Sequence, residues 1–245
     1  MDSYRTALVT GASSGIGRAI ATALAEHGMS VMASGRDRAA LETLHAACGA
    51  TPVVLDVRDR DAFSALLAEH PVDVLVNNAG VLSARDAFHM TDPAEIGVMI
   101  DVNMVAPIQL ARLALPRLVA QGSGHLFFIG SSAGRFPHPN AAVYGASKAG
   151  ISLFCDALRC DLLGTGVRVT EICPGRVETR LYRTALGMEA ARAQLYDGFE
   201  AIAPEDIAGL VMTALRMPAH VDVSRLEVFP TSQAVGGARI VKTGA

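Results

Sequence analysis

Short apolar runs and amphipathic stretches alternate along the whole chain. The apolar runs begin near Thr6, Ser30, Thr51, Val72, His125, Val167 and Arg225. Most are rich in valine, isoleucine and leucine with little polar alternation, the pattern of strands covered on both faces. Between them, apolar residues recur at three- and four-residue steps, as on a helix with one buried stripe. Helices are expected over residues 18–27, 38–48 and 142–163, among others. Strand and helix alternating throughout predict a parallel sheet with helices on both faces. Parallel neighbours need a crossover, and the crossover helix covers the sheet. No Pro/Gly/Ser linker, low-complexity tract or internal repeat divides the 245 residues, so the chain reads as one doubly wound α/β domain with seven parallel strands. Such a sheet binds ligands beyond the carboxyl ends of its strands.

Residues able to do chemistry fall at those ends. Tyr144 and Lys148 stand four residues apart in V-Y-G-A-S-K-A-G, and Ser131 lies 13 residues upstream in F-F-I-G-S-S-A-G. On a helix the four-residue step places tyrosine and lysine on one face, one turn apart. A free tyrosine titrates near pH ~10, too high for easy proton exchange at neutral pH. A neighbouring ammonium favours the phenolate and lowers that value. The pair forms an acid/base device, with a serine hydroxyl to hold the group being protonated. Ser132 competes for the serine role, but the spacing to Tyr144 and the three-residue step to Gly134 favour Ser131.

Near the start, the strand at Thr6 runs into Gly11-Ala12-Ser13-Ser14-Gly15-Ile16-Gly17 and then a helical pattern. Strand, glycine loop and helix together make a cradle for a pyrophosphate. Gly11 permits the turn, Gly15 admits phosphates to the helix N-terminus, and Gly17 lets helix and strand pack closely. The glycines are spaced four then two, not two then three as in the common dinucleotide fingerprint, so a purely structural turn stays open. At the end of the second strand the chain reads Ala33-Ser34-Gly35-Arg36-Asp37. A site for NAD usually places a carboxylate there for the ribose hydroxyls. Gly35 leaves space instead, and the Arg36 guanidinium suits a 2′-phosphate. Asp37 is expected to cap the next helix. The cofactor expected is therefore NADP(H) in preference to NAD(H).

Together these segments resemble the classical short-chain dehydrogenase/reductase family across nearly the whole chain, with a Rossmann-type fold. Thr10–Gly17 is similar to its cofactor loop, including Ser13, Ser14 and Ile16. Asp56-Val57 resembles the adenine-contacting pair, and Asn77-Asn78-Ala79-Gly80 the segment that closes the fourth strand. Pro174-Gly175 with Val177 and Thr179 is similar to the run bordering the nicotinamide. The resemblance implies Asn103, in I-D-V-N, as an active-site asparagine holding a water that links Lys148 to solvent. It also implies that Lys148 binds the nicotinamide ribose. Residues 1–110 then form a cofactor half, 111–230 a catalytic and substrate half, and 231–245 a tail. Pro218 to Gln233 is similar to the branch of NADP-dependent 3-hydroxy acid (serine-type) dehydrogenases and small-aldehyde reductases. The implied activity is hydride transfer between the nicotinamide and a small hydroxy compound or its carbonyl, a 3-hydroxy acid or semialdehyde. The alternatives are reduction of a bulkier aldehyde or ketone and, more distantly, a non-catalytic NADPH-binding protein.

The formal net charge of −3 and the absence of a basic cluster argue against nucleic acid. A strand beginning almost at Met1 leaves no room for a signal peptide. Arg112, Pro116 and Arg117 interrupt the most apolar helical stretch, short of a membrane span. Cys48, Cys155, Cys160 and Cys173 have neither metal nor redox spacing, which fits reduced thiols in a cytoplasmic protein and no metal site. The 51% hydrophobic content exceeds the needs of a monomer this size, suggesting an apolar subunit interface. The family pairs the helix at 142–163, which carries Ile151, Phe154, Cys155 and Leu158, across a two-fold axis; this implies a homotetramer or a dimer. Substrate contacts are expected from loops carrying Arg135, His138, Arg176 and Tyr182, beside Ser131. A guanidinium would suit a carboxylate, but ion pairing with the protein's own carboxylates is the ordinary fate of such arginines.

Overall fold

The computed structural model describes residues 4–83, 87–179, 181, 198–235 and 240–242. Tyr182 lies outside these residues. Seven strands, β1 (Thr6–Thr10), β2 (Ser30–Gly35), β3 (Thr51–Val54), β4 (Val74–Asn77), β5 (Gly124–Ile129), β6 (Val167–Pro174) and β7 (Arg225–Val228), form one parallel sheet in the order β3-β2-β1-β4-β5-β6-β7. The strand starts lie within one residue of those expected, except that β4 starts at Val74 rather than Val72.

Successive residues of a strand point to opposite faces, and here both faces are apolar. Ala7, Val9, Val74, Val76, Phe127 and Ile129 face α1 (Gly15–Glu26), α2 (Arg38–Cys48) and α7 (Pro204–Arg216). Leu8, Leu75, Leu126 and Phe128 face α3 (Arg60–Glu69), α5 (Ala106–Ala120) and α6 (Ala142–Asp161). Burying each large apolar side chain contributes about 1.5–3 kcal/mol, so the central strands β1, β4 and β5 are held from both sides. The helix stops are chemical. Asp37 Oδ1 accepts the Ala40 N–H at 3.0 Å as the N-cap of α2, and Gly49 ends it in the left-handed region, with φ 79°.

Two expectations need correction. Helix α1 starts at Gly15, inside the glycine loop, instead of at Arg18, because extended Ser14 already serves as its N-cap. The stretch crossing Arg112 and Pro116 is not short: α4 (Pro93–Ile100), a π-helical turn (Asp101–Val105) and α5 run on as one helix of 28 residues, apolar and long enough to cross a membrane by length and composition. Leu110, Ala111, Ala114 and Leu118 spend its apolar face on the sheet.

β1 and β4 are neighbours although β2 and β3 follow β1 in sequence, so the chain departs from β1 in opposite directions on the two sides. The loops leaving their carboxyl ends diverge and open a cleft.

Candidate active site

The cleft encloses about 390 Å³. Its floor is the glycine loop. Gly11 has a φ of 66°, and a Cβ there meets the Ala79 backbone at 2.9 Å; a Cβ on Gly17 lies 2.4 Å from the Gly11 carbonyl oxygen. These positions leave no room for a side chain, which brings β1, α1 and the end of β4 into contact. Thr10 and Asn78 lock the arrangement. Thr10 Oγ1 accepts the N–H groups of Asn78 and Ala79 at 3.0 and 3.1 Å, and Asn78 Nδ2 donates to the carbonyls of Thr10 and Gly11 at 2.8 and 3.2 Å. Asn78 thus spends its amide nitrogen on the shape of the loop.

One end of the cleft is charged and open. Gly35, Arg36, Leu55, Asp56, Val57 and Arg58 line it. Asp37 is turned away as a helix cap, which leaves Arg36 as the charged side chain at the end of β2. A Cβ on Gly35 comes within 3.2 Å of Ser13 Oγ, so the strand end and the glycine loop nearly touch. Arg58 grips Asp56 with Nε to Oδ1 at 3.0 Å and Nη2 to Oδ2 at 2.8 Å. That grip, with Arg36 contributing, holds the Asp56 carboxyl down at about 2. Arg58 was not anticipated, although it follows Asp56-Val57 directly.

The other end is enclosed. Ser131, Tyr144 and Lys148 all line it, with Gly80, Val81, Ile129 and Gly130. Ser131 ends extended backbone after β5, and its Oγ caps a 3-10 turn (Ser132–Gly134) by accepting the Ala133 N–H at 3.1 Å. Ser132 is buried but does not line the cleft. Lys148, one turn along α6 from Tyr144, has its Nζ 5.9 Å from the tyrosine ring centre and donates to the Ile129 carbonyl at 2.8 Å. Burial pushes the ammonium down to about 8 against opposing contributions from Cys173, Glu171 and Cys155. Asn103 lies in the π-helical turn and is 1% exposed. Its Oδ1 accepts the Val81 N–H at 2.8 Å, and its Nδ2 donates to the Val81 carbonyl at 2.9 Å and Ser147 Oγ at 3.3 Å. The extra residue of a π-turn re-aims one side chain; here the side chain ties the helix to the loop after Gly80.

The far wall is Pro174, Gly175, Val177 and Thr179, with Thr179 Cγ2 3.4 Å from where a Gly15 Cβ would lie. Thus Gly11, Ser13, Ser14, Gly15, Ile16, Arg36, Asp56, Val57, Asn78, Ala79 and Gly80 share one cleft with this wall and the serine–tyrosine–lysine group, while Gly17 and Asn103 support it from behind.

The loop residues disperse. Arg135 Nε pairs with Glu227 Oε1 at 2.5 Å, and Arg176 is 7% exposed, its backbone N–H donating to Gln233 Oε1 at 2.8 Å. Neither lines the cleft. His138 lines a second cavity of about 110 Å³ that shares Leu82 and Tyr144 with it. Among the described residues no group of three or more His, Cys, Asp or Glu could hold a metal.

The model of the short chain dehydrogenase family matches residues 5–190, and the chain belongs to that family. An uncharacterized short-chain type dehydrogenase/reductase of Sinorhizobium fredii is 54% identical over 242 residues, 99% of this chain and 98% of its own. Sulfoacetaldehyde reductase 2 of Chromohalobacter salexigens is 42% identical, covering 93% and 94% of the two chains. Among solved structures, the closed form of serine dehydrogenase complexed with NADP+ superposes with a TM-score of 0.91 at 35% identity, covering 97% of this chain and all of that one.

Proposed function

We propose that this protein is an NADP(H)-dependent oxidoreductase acting on the CH–OH carbon of a small 3-hydroxy acid, or on the matching semialdehyde. The observation that carries the reading is one cleft that joins a glycine-floored, Arg36-bearing end to an enclosed end holding Ser131, Tyr144 and Lys148. The residues fit the cofactor: the cradle excludes side chains at Gly11 and Gly17, Gly35 brings the end of β2 against Ser13 where a side chain would crowd it, and the Arg36 guanidinium suits a 2′-phosphate. When bound, NADPH supplies the hydride.

The chain's own residues handle the proton. Tyr144 gives its hydroxyl proton to the carbonyl oxygen in reduction and takes it back in oxidation. Ser131 hydrogen-bonds the same oxygen and fixes the carbonyl plane. Lys148, as the ammonium, favours the phenolate form of Tyr144 and holds the nicotinamide ribose. Asn103 holds the loop after Gly80 against the lysine. A water linking Lys148 to solvent belongs to the same reading.

For the substrate, the relatives' names are informative. Serine and sulfoacetaldehyde both carry the reacting carbon one carbon away from the one that bears an acidic group. His138, whose cavity adjoins Tyr144, is assigned the polar end of such a molecule. A second reading rests on the apolar wall beside the tyrosine, made by Val81, Leu82, Val98, Val102 and Leu181, which suits a bulkier uncharged aldehyde or ketone. The four cysteines are free thiols, which supports a cytoplasmic location. Ile151, Cys155 and Leu158 are used in the protein's own core, so a homotetramer is supported instead by Leu153 and Leu163 of the α6 region, 72% and 88% exposed.

The test is reduced-nicotinamide formation with L-serine and with 3-hydroxyisobutyrate, using NADP and NAD in parallel. Turnover with NADP that vanishes in Tyr144→Phe, with NADPH still bound, is the expected result. No turnover of either acid, with NADPH bound tightly, moves the assignment to the second reading. Full activity in Tyr144→Phe removes the tyrosine from the chemistry.

A further inference from the structure

Glu171 is a carboxylate in the middle of β6, 1% exposed and assigned no part in binding or chemistry above. Its Oε2 is fully engaged: Arg225 Nε donates to it at 2.7 Å from the paired position on β7, and Ser152 Oγ donates at 2.9 Å from α6. Arg225 also reaches Asp156 at 2.9 Å, and Asp156 pairs with Arg159 at 2.5 Å, so positive and negative charges alternate outward from the sheet to the surface. Glu171 Oε1 is different. No N–H or O–H group reaches it among the described residues, and it lies 2.6 Å from where a Cβ on Gly130 would stand. Gly130 separates Ile129, whose carbonyl takes the Lys148 ammonium, from Ser131. The Cys173 thiol supplies the carboxylate with a hydrogen bond instead. Oε1 presses against the segment that seats both the lysine and the serine.

We propose that Glu171 is a positioning residue for the reaction: anchored by Arg225 and Ser152, it seats the Gly130 segment that carries the Lys148 contact at Ile129 and the Ser131 hydroxyl. The proposal rests on the reading above, in which Lys148 acts as an ammonium. The groups around Lys148 agree with it. From α6 come Tyr144 and Cys155; from β6 come Glu171 and Cys173; Asn103 lies across the Gly80 loop, with its Oδ1 beside it. Burial and Glu171 push the Cys173 thiol up, so it stays neutral. Glu171 is therefore the carboxylate that opposes the loss of the Lys148 proton on burial. The segment 218–233 acquires a purpose from the same contacts, because its Arg225 is the countercharge beside the buried carboxylate.

The test uses a convenience of the sequence, which has two lysines, Lys148 and Lys242. In protein grown with lysine 13C-labelled at Cε, two resonances titrate, and Lys242→Arg assigns them. Glu171→Gln is expected to lower the Lys148 titration by roughly one pH unit, the size of effect a lost nearby countercharge produces. The alkaline limb of the pH profile for carbonyl reduction, and of NADPH binding, moves down with it. Glu171→Asp restores both, and Asp156→Asn, which touches the same Arg225 away from Gly130, moves neither. If Glu171→Gln does not fold, the double variant with Arg225→Gln, which leaves no lone buried charge, must still shift the titration downward, by a smaller amount because a more distant positive charge is lost too. An unmoved Lys148 titration in the folded variant overturns the proposal and leaves Glu171 a structural ion. Should Lys148→Met itself keep turnover and the alkaline limb, the reading of Lys148 fails instead, and the two failures are distinct.

Discussion

The two ends of the cleft tune charge by opposite means. At the open end Asp56 is moved down to about 2 because the Arg58 guanidinium hydrogen-bonds it in solvent. At the enclosed end Lys148 also moves down, to about 8, because burial strips water from its ammonium. The direction is shared and the meaning is reversed. For an acid a lower value means the charge is stabilised; for a base it means the charge is strained. Paired charges near the surface can hold and discriminate a ligand at little cost to the fold. A charge kept in a dry place destabilises the fold, and proteins accept that where the charge has chemistry to do.

The sharpest way to break this contrast is Lys148→Met, which keeps most of the side chain's length and removes the charge. Turnover should fall by about 10²–10⁴-fold, the range for loss of acid/base support. The folded protein should nevertheless become more stable. Its folded value near 8 lies below the ordinary 10.5, so the cost of burying the ammonium is fully present below pH 8. As pH rises from 8 toward 10.5 the folded state has lost the proton while the unfolded state still holds it, and the cost fades. At pH 7 the gain is on the order of 2 kcal/mol after allowing for the lost bond to the Ile129 carbonyl. Thermal melts at pH 7 and pH 10 check it. A lower melting temperature at pH 7 means that Lys148 is not strained and that the contrast is wrong.

Arg36→Ala tests the open end and has a smaller, selective effect. Losing one guanidinium–phosphate contact should raise KM for NADPH by about 10–100-fold. KM for NADH should stay within about twofold, because the rest of the cradle is untouched. Equal losses with both cofactors would place Arg36 in the fold and away from the 2′-phosphate.

The open end was the more legible of the two in the sequence. Gly35 and Arg36 could be read directly, because a glycine and a guanidinium at a strand end differ from the carboxylate usual there. Even Asp37 was legible, since an aspartate just before an amphipathic run caps it. The central strands were legible because both their faces are apolar and the runs stand clear of the helices between them. The enclosed end gave up its motif residues but not what surrounds them. Glu171 stands in V-R-V-T-E-I-C, a charged residue inside a run that otherwise reads as buried, and that conflict was the available signal. Its partner Arg225 lies 54 residues on, a pairing fixed only when β7 adds beside β6. Arg135 illustrates the same limit from the other side. Its place four residues after Ser131 suggested the substrate, whereas the register of β7 gives it Glu227.

The smallest effect sharpens the comparison most. Arg58→Ala removes the partner of Asp56, whose folded value of about 2 lies below the ordinary 3.8. The stability that this pair contributes is present above about pH 4 and is lost as pH falls through 2. Both groups are exposed enough to be screened by solvent, so the contribution is small, a shift of about 1 °C or less in melting temperature. Salt then separates the two ends. Raising ionic strength to about 1 M shortens the screening length to ~3 Å, so the Arg58→Ala difference at pH 6 should vanish. The Lys148→Met difference at the same pH should persist, because no salt reaches a buried ammonium whose strain comes from missing water. If both differences collapse together in salt, Lys148 is tuned by distant surface charge and not by burial, and the division between the two ends of the cleft disappears.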